Sequence, residues 1–125
     1  MELKDIVPWG RSGAEYARMF ALTAEDLSGR RVLSFGDGPS DFNLWARSQC
    51  AQVQSVDPLY AYDADAIAAR IEAVRPDIVA GLQQSEAAFH WEEFDSPQAM
   101  VDNRLATMAR FLEDFRARAH DNAVY

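Results

Sequence analysis

The stretch Arg31-Val32-Leu33-Ser34-Phe35-Gly36-Asp37-Gly38-Pro39-Ser40-Asp41 begins as a short apolar strand, breaks into a glycine turn and opens a helix at Asp41. That helix is expected to run to about Ser48, with Phe42, Trp45 and Ala46 on one side and Asn43 and Arg47 on the other. A second apolar run, Val53-Gln54-Ser55-Val56, then ends in Asp57. Strand, glycine loop, helix and strand is the order that cradles a phosphate or a nucleoside. An acid about 20 residues past the first glycine stands where a ribose hydroxyl needs an acceptor. Crossovers of this kind are right-handed, so the second strand, Gln52 to Val56, should pair parallel with the first. The reading is a nucleoside cofactor on an α/β unit.

Gly36 permits the tight turn, and Gly38 lets a ligand approach the backbone with no Cβ in the way. Helix N-terminal amides normally invite an anion. Here Asp37 sits between the glycines and Asp41 at the helix start, so a pyrophosphate would meet two carboxylates, which disfavours a nicotinamide dinucleotide. A nucleoside carrying an ammonium or sulfonium charge suits the loop better, and S-adenosylmethionine has that charge pattern. The run Val32 to Ser40 resembles the first motif of class I methyltransferases, hydrophobic-hydrophobic-acid-hydrophobic-Gly-x-Gly-x-Gly, and Asp57 falls where those enzymes place the acid that holds both ribose hydroxyls. Tyr16 to Leu22 also resembles the lead-in of some bacterial members. The resemblance covers roughly Pro8 to Tyr60. Ser34 stands where the family more often has an acid, and a serine there can relay a hydrogen bond through water to the ammonium group. Ser40 replaces the third glycine and can cap the helix instead.

The resemblance implies an α/β, Rossmann-like parallel sheet unit, partial and helix-rich, with an N-terminal helical lead-in. It implies S-adenosylmethionine as cofactor, with Ser34, Gly36, Asp37 and Gly38 at its amino-acid end and Asp57 on the ribose; Pro58, Leu59 and Tyr60, by their proximity to Asp57, either line the adenine side or pack into the fold. The implied function is the cofactor-binding, N-terminal part of a methyltransferase for an unidentified acceptor. No residue stands out as a catalytic base. Trp9 and Tyr16 either close over the methionine part or anchor the lead-in to the core. The alternative is a non-enzymatic assembly module with a degenerate nucleotide loop.

Working outward, Ser12 and Glu15 have capping-box spacing at the start of a helix that includes Ala14, Ala17, Met19, Phe20 and Leu22, and Thr23 with Asp26 opens another short one. Residues 1–30 are thus the lead-in, 31–60 the strand–loop–helix–strand core and 61–125 a helical region of one domain. In that last region Ile67, Ile71 and Val74 form a stripe that Pro76 interrupts; Ile78, Val79 and Leu82 continue either as a new short helix or, over Asp77 to Ala80, as a strand. Ser96-Pro97 opens the longest helix, in which Val101, Leu105, Met108, Leu112 and Phe115 make one seam that packs inside the fold or, in the assembly reading, against a partner. Asn122-Ala123-Val124-Tyr125 reads as the opening of a third strand. Two strands leave an open edge, so the expectation is an incomplete domain whose edge is covered by more polypeptide or by self-association into a homo-oligomer.

The 125 residues are 49% hydrophobic and 26% charged, enough for a real core. A net charge of −8 gives no basic face for nucleic acid. No apolar run reaches the ~20 residues of a spanning helix, and Met1 to Asp5 has no signal-peptide order, so the expected location is cytoplasmic. The single Cys50 excludes an internal disulfide and reads as a small buried side chain. His90 and His120 are the two histidines, and His90-Trp91-Glu92-Glu93-Phe94-Asp95 reads as a solvated acidic linker, so no metal is expected.

Overall fold

The computed structural model describes residues 2–84, 94–118 and 121–125. The sequence around Ser12 folds as its capping box dictates: Ser12 Oγ accepts from the Glu15 amide, Glu15 reaches back to the Ser12 amide, and helix α1 (Gly13–Met19) follows. Thr23 and Asp26 repeat the device for α2 (Ala24–Leu27). Strand β1 (Arg31–Phe35) then leads through the glycine turn into α3 (Phe42–Ser48), and β2 (Gln52–Val56) pairs parallel with β1, Arg31 opposite Gln52 and Phe35 opposite Val56. Cys50 is exposed, contrary to expectation. It stands past the end of α3 at φ 66°, where the chain turns back toward β2 and the buried side chain is the next one, Ala51.

Beyond a 3-10 turn at Pro58–Ala61, the helical region forms an antiparallel pair of long helices, α4 (Ala64–Gln84) and α5 (Pro97–Arg118), the start of α4 packing on the end of α5. Pro76 does not end α4. It removes one backbone bond and crowds the preceding turn, a cost of about 3 kcal/mol, yet Ile67, Ile71, Val74, Ile78 and Leu82 keep one helical phase across it and are all buried. Burying several such side chains outweighs the local penalty. Neither a separate helix nor a strand forms over Asp77 to Ala80.

The seam of α5 is wider than predicted and rotated. Val101, Met108 and Phe115 are buried as expected, but Met100, Arg104, Thr107 and Phe111 join them while Leu105 and Leu112 lie at the flank. The cause is that α5 is covered twice, by α4 and Leu59 on one side and by the N-terminal segment on the other. Arg104 belongs to that second contact: its Nη1 donates to both Glu15 carboxylate oxygens at 2.7 Å and to the Gly10 carbonyl, with its guanidinium 4.7 Å from the Trp9 ring.

One sheet face carries Val32, Ser34, Val53 and Ser55 toward α1 and α3; the other carries Leu33, Phe35 and Val56, which are 56%, 69% and 43% exposed. Residues 121–125 form a turn instead of a third strand, although the Val124 carbonyl accepts from the Ser55 amide at 2.8 Å beside β2. The architecture is therefore helix-rich around a two-stranded parallel sheet. Among the described residues no helix is long and apolar enough to cross a membrane. The sequence between His90 and Glu93, and His120, lie outside the described residues.

Candidate functional site at the glycine loop

At the end of β1 the chain needs two left-handed residues in three to turn into α3, and glycine supplies both: Gly36 has φ 74° and Gly38 φ 54°. A Cβ on either would meet nothing within 4 Å, so the space above the loop is open. Ser40 takes the capping role, accepting from the Phe42 amide and donating to the Arg11 carbonyl, which fastens the lead-in to the loop.

The predicted loop residues converge. Asp57 leaves the end of β2 and turns back onto the turn: its Oδ2 accepts from the Gly38 amide at 2.9 Å, and its Oδ1 from the Leu59 amide at 2.8 Å. Tyr60 closes the same corner by donating to the Gly38 carbonyl at 2.8 Å. Its ring is buried against Phe111, and that burial, helped by the nearby Asp37 and Asp57 charges, pushes its phenol well above the usual range.

Asp37 is 5% exposed and has three hydroxyl donors: Ser34 at 2.5 Å and Tyr16 at 3.2 Å to Oδ1, and Ser55 at 2.6 Å to Oδ2. Asn43 supports this group from below, donating to Ser55 Oγ and to the Val124 carbonyl. Burial and then the Asp37 charge raise the Tyr16 pKa, so its phenol stays a donor. Asp41 departs from expectation. It is buried, accepts from the Gly13 amide at 2.6 Å and pairs with Arg110 at 2.7 Å, so of the two loop carboxylates Asp37 alone lines the adjoining cavity.

Gly36, Asp37, Gly38 and Asp57 form one wall of a cavity of about 190 Å³, and Trp9, Arg11 and Tyr16 form the other. Sequence reasoning did not single out Arg11. Its signal was faint: one arginine among twelve basic residues, placed by the Ser40 bond to its own carbonyl. Trp9 and Tyr16 anchor the lead-in, Tyr16 stacking on Phe42 at 4.6 Å and Trp9 sitting under Arg104, and both also line the cavity. Two predicted residues lie differently. Leu59 is fully buried in the core with Ile67 and Phe111, so only its amide reaches the site, and Pro58 is exposed beside Asp57. Among the described residues no group of three or more His, Cys, Asp or Glu side chains is placed to hold a metal ion.

No protein family model matches the chain, and no solved structure matches it. It is 29% identical over 122 residues to the uncharacterized protein MJ0045 of Methanocaldococcus jannaschii. The match takes in 93% of this chain and 52% of that protein, so the chain spans about half the length of the relative.

Proposed function

We propose that the chain holds S-adenosylmethionine over the glycine loop as the cofactor-binding part of a cytoplasmic class I methyltransferase, its β1–α3–β2 unit being a portion of a Rossmann-like sheet. One observation carries the reading: the Asp57 carboxylate at the end of β2 is bonded to the Gly38 amide, which makes the acid and the glycine turn one continuous surface. Each carboxylate oxygen has about two lone-pair sites. With one backbone amide on each, a site per oxygen remains for the two hydroxyls of a ribose.

The donor set on the other side fits an amino acid. Asp37, held in place by three hydroxyl donors, suits an ammonium group, and Arg11, whose side chain makes no hydrogen bond or ion pair among the described residues, faces the same cavity and suits a carboxylate. A cavity of about 190 Å³ is smaller than the ~300 Å³ at which pockets for drug-sized ligands begin. It therefore takes the amino-acid end, and the nucleoside lies across the open rim at Asp57 and Pro58. A dinucleotide pyrophosphate fits less well, because the Asp37 charge stands where it would bind.

The cofactor, when bound, supplies an activated methyl group. The chain's own part is positioning: ribose by Asp57, zwitterion by Asp37 and Arg11, and exclusion of water by Trp9 and Tyr16. Titration with S-adenosylhomocysteine tests this. Saturable binding that Asp57→Ala abolishes and Asp57→Asn weakens supports it, and silence in a folded sample refutes it. A second reading, an assembly module, is favoured by the exposed Leu33, Phe35 and Val56. It predicts that silence together with a defined oligomer in sedimentation, that exposed sheet face being covered by a second copy.

A further inference from the structure

A second cavity, of about 380 Å³, lies between α4 and the N-terminal segment, and Val7 and Trp9 stand in the wall of both it and the glycine-loop cavity. Its floor is a stripe of α4 running from Arg70 through Val74 and Asp77 to Gly81. At a rise of 1.5 Å per residue that stripe is roughly 17 Å long, the shape of a slot for an elongated small molecule. Gly81 is the residue in that floor with no other explanation. It sits inside a 21-residue helix without a left-handed φ, and a Cβ placed on it would meet nothing within 4 Å. Glycine costs a helix about 1 kcal/mol against alanine. Neither backbone nor packing calls for it, and what it does is keep the slot open.

The charges select the ligand. Asp77 is exposed at the rim and makes no hydrogen bond or ion pair among the described residues. Arg70 spends Nε and Nη2 on the carbonyls of Ile6 and Lys4. The chain as a whole carries −8. Arg70 keeps its positive charge at one end of the slot, and Asp77, seven residues or about 10 Å along the helix, puts a negative charge at the other, so a cation is favoured at the Asp77 end, while Trp9 offers an aromatic surface to its body.

We propose that this slot binds an alkyl or aryl amine, its ammonium on Asp77 and its apolar body along Trp9, Val74 and Gly81, as a second ligand beside the glycine-loop cavity. As methyl acceptor, a role that rests on the methyltransferase reading while amine binding itself does not, the ammonium first gives up a proton to water, and the freed nitrogen lone pair takes the sulfonium methyl, leaving the N-methylated amine and S-adenosylhomocysteine. The test titrates 2-phenylethylamine into isotope-labelled protein by NMR, with phenylacetate as an anion of matched shape. The amine saturates with shifts at Trp9, Asp77 and Gly81, and phenylacetate responds more weakly. Asp77→Asn weakens the amine roughly fivefold, as expected for an exposed ion pair. Gly81→Phe abolishes binding, while it and Gly81→Ala melt no lower than the parent and bind S-adenosylhomocysteine as the parent does. Phenylacetate binding as tightly as the amine, amine binding that survives Gly81→Phe, or no saturation by about 20 mM, far weaker than the millimolar affinities of simple ligands, overturns the slot. Amine binding without S-adenosylhomocysteine binding leaves the slot and removes the acceptor role; the reverse removes the slot and leaves the cofactor.

Discussion

Replacing Glu15 with glutamine tests how the wall of the glycine-loop cavity is held. Glu15 is 4% exposed and Arg104 3% in their side chains, and the pair is joined at 2.7 Å. Glu15 also accepts from Ser12 and Asn103, so α1, α5 and the segment carrying Trp9 and Arg11 meet at this carboxylate. Glutamine keeps the shape but leaves the Arg104 charge buried without its counter-ion, and the guanidinium already has one unpaired donor, its Nε. Removing one partner of a buried pair costs about 3–5 kcal/mol. Taking about 4 kcal/mol over an unfolding entropy of about 0.26 kcal/mol/K for a chain of this length, the melting temperature falls by roughly 15 °C. Burial by itself would raise the pKa of Glu15, but the bonds from Arg104, Ser12 and Asn103 outweigh it and hold the carboxyl below its usual range. A depressed folded pKa means that the stabilisation is complete above the unfolded value near 4.5 and is lost as pH falls through the folded one. The two proteins should therefore differ most at neutral pH and converge in acid. Circular-dichroism melts at neutral pH and in acid measure it. The double variant Glu15→Leu/Arg104→Met, which removes both charges, should recover most of the loss. A single-variant loss under about 1 kcal/mol, or a double variant no better than the single, refutes the claim that this pair anchors the wall.

Pro76→Ala restores a backbone donor in the middle of α4 and should stabilise the fold by up to about 3 kcal/mol, read in urea unfolding; a loss would mean that the helix is bent there by need. Leu33→Lys with Phe35→Glu should lower hydrophobic-dye binding and self-association while leaving the melting temperature nearly unchanged, since both side chains face solvent. Tyr16, Tyr60 and Tyr125 all have raised pKa values, each chiefly through burial, so the folded state loses stability as pH climbs past 10, where the unfolded phenols ionise first. Absorbance at 295 nm should show these three titrating together with alkaline unfolding; a smooth titration near pH 10 in a folded sample contradicts their burial.

The core unit was legible because each of its parts is fixed by local chemistry. Apolar alternation marks β1 and β2, two glycines permit the turn, and the capping boxes at Ser12 and Thr23 announce their helices within four residues. What failed was what depends on distant partners. Pro76 was read by its local rule, although the phase of Ile71, Val74, Ile78 and Leu82 carried through it. The α5 seam was read as a single-sided stripe, and nothing within α5 says that Arg104 would be buried; its reasons are Glu15 and Trp9, about 90 positions away, a separation no periodicity reports. Leu59 was placed at the rim by adjacency to Asp57, but a 3-10 turn sends neighbouring side chains in different directions.

Ser34 bears directly on the proposed cofactor site. By position it lacks the acid that the class I methyltransferase pattern has in β1, which by itself reads as a weakened site. Its hydroxyl lies 2.5 Å from Asp37, three residues on, and Ser55 of the neighbouring strand and Tyr16 of α1 donate to the same carboxylate. The Asp37 carboxylate thus lies at the end of the sheet face beneath α1, in the wall of the cavity, and the hydroxyls at 34 and 55 hold it there. In the methyltransferase reading we propose, Asp37, three residues on, would supply the negative charge that Ser34 does not. If it does, Asp37→Asn should weaken S-adenosylhomocysteine by roughly tenfold or more, the scale of one charge-assisted bond, while Ser34→Ala, which removes one of three donors, should cost only a few-fold. Equal and small effects from both would show that Asp37 serves the fold alone.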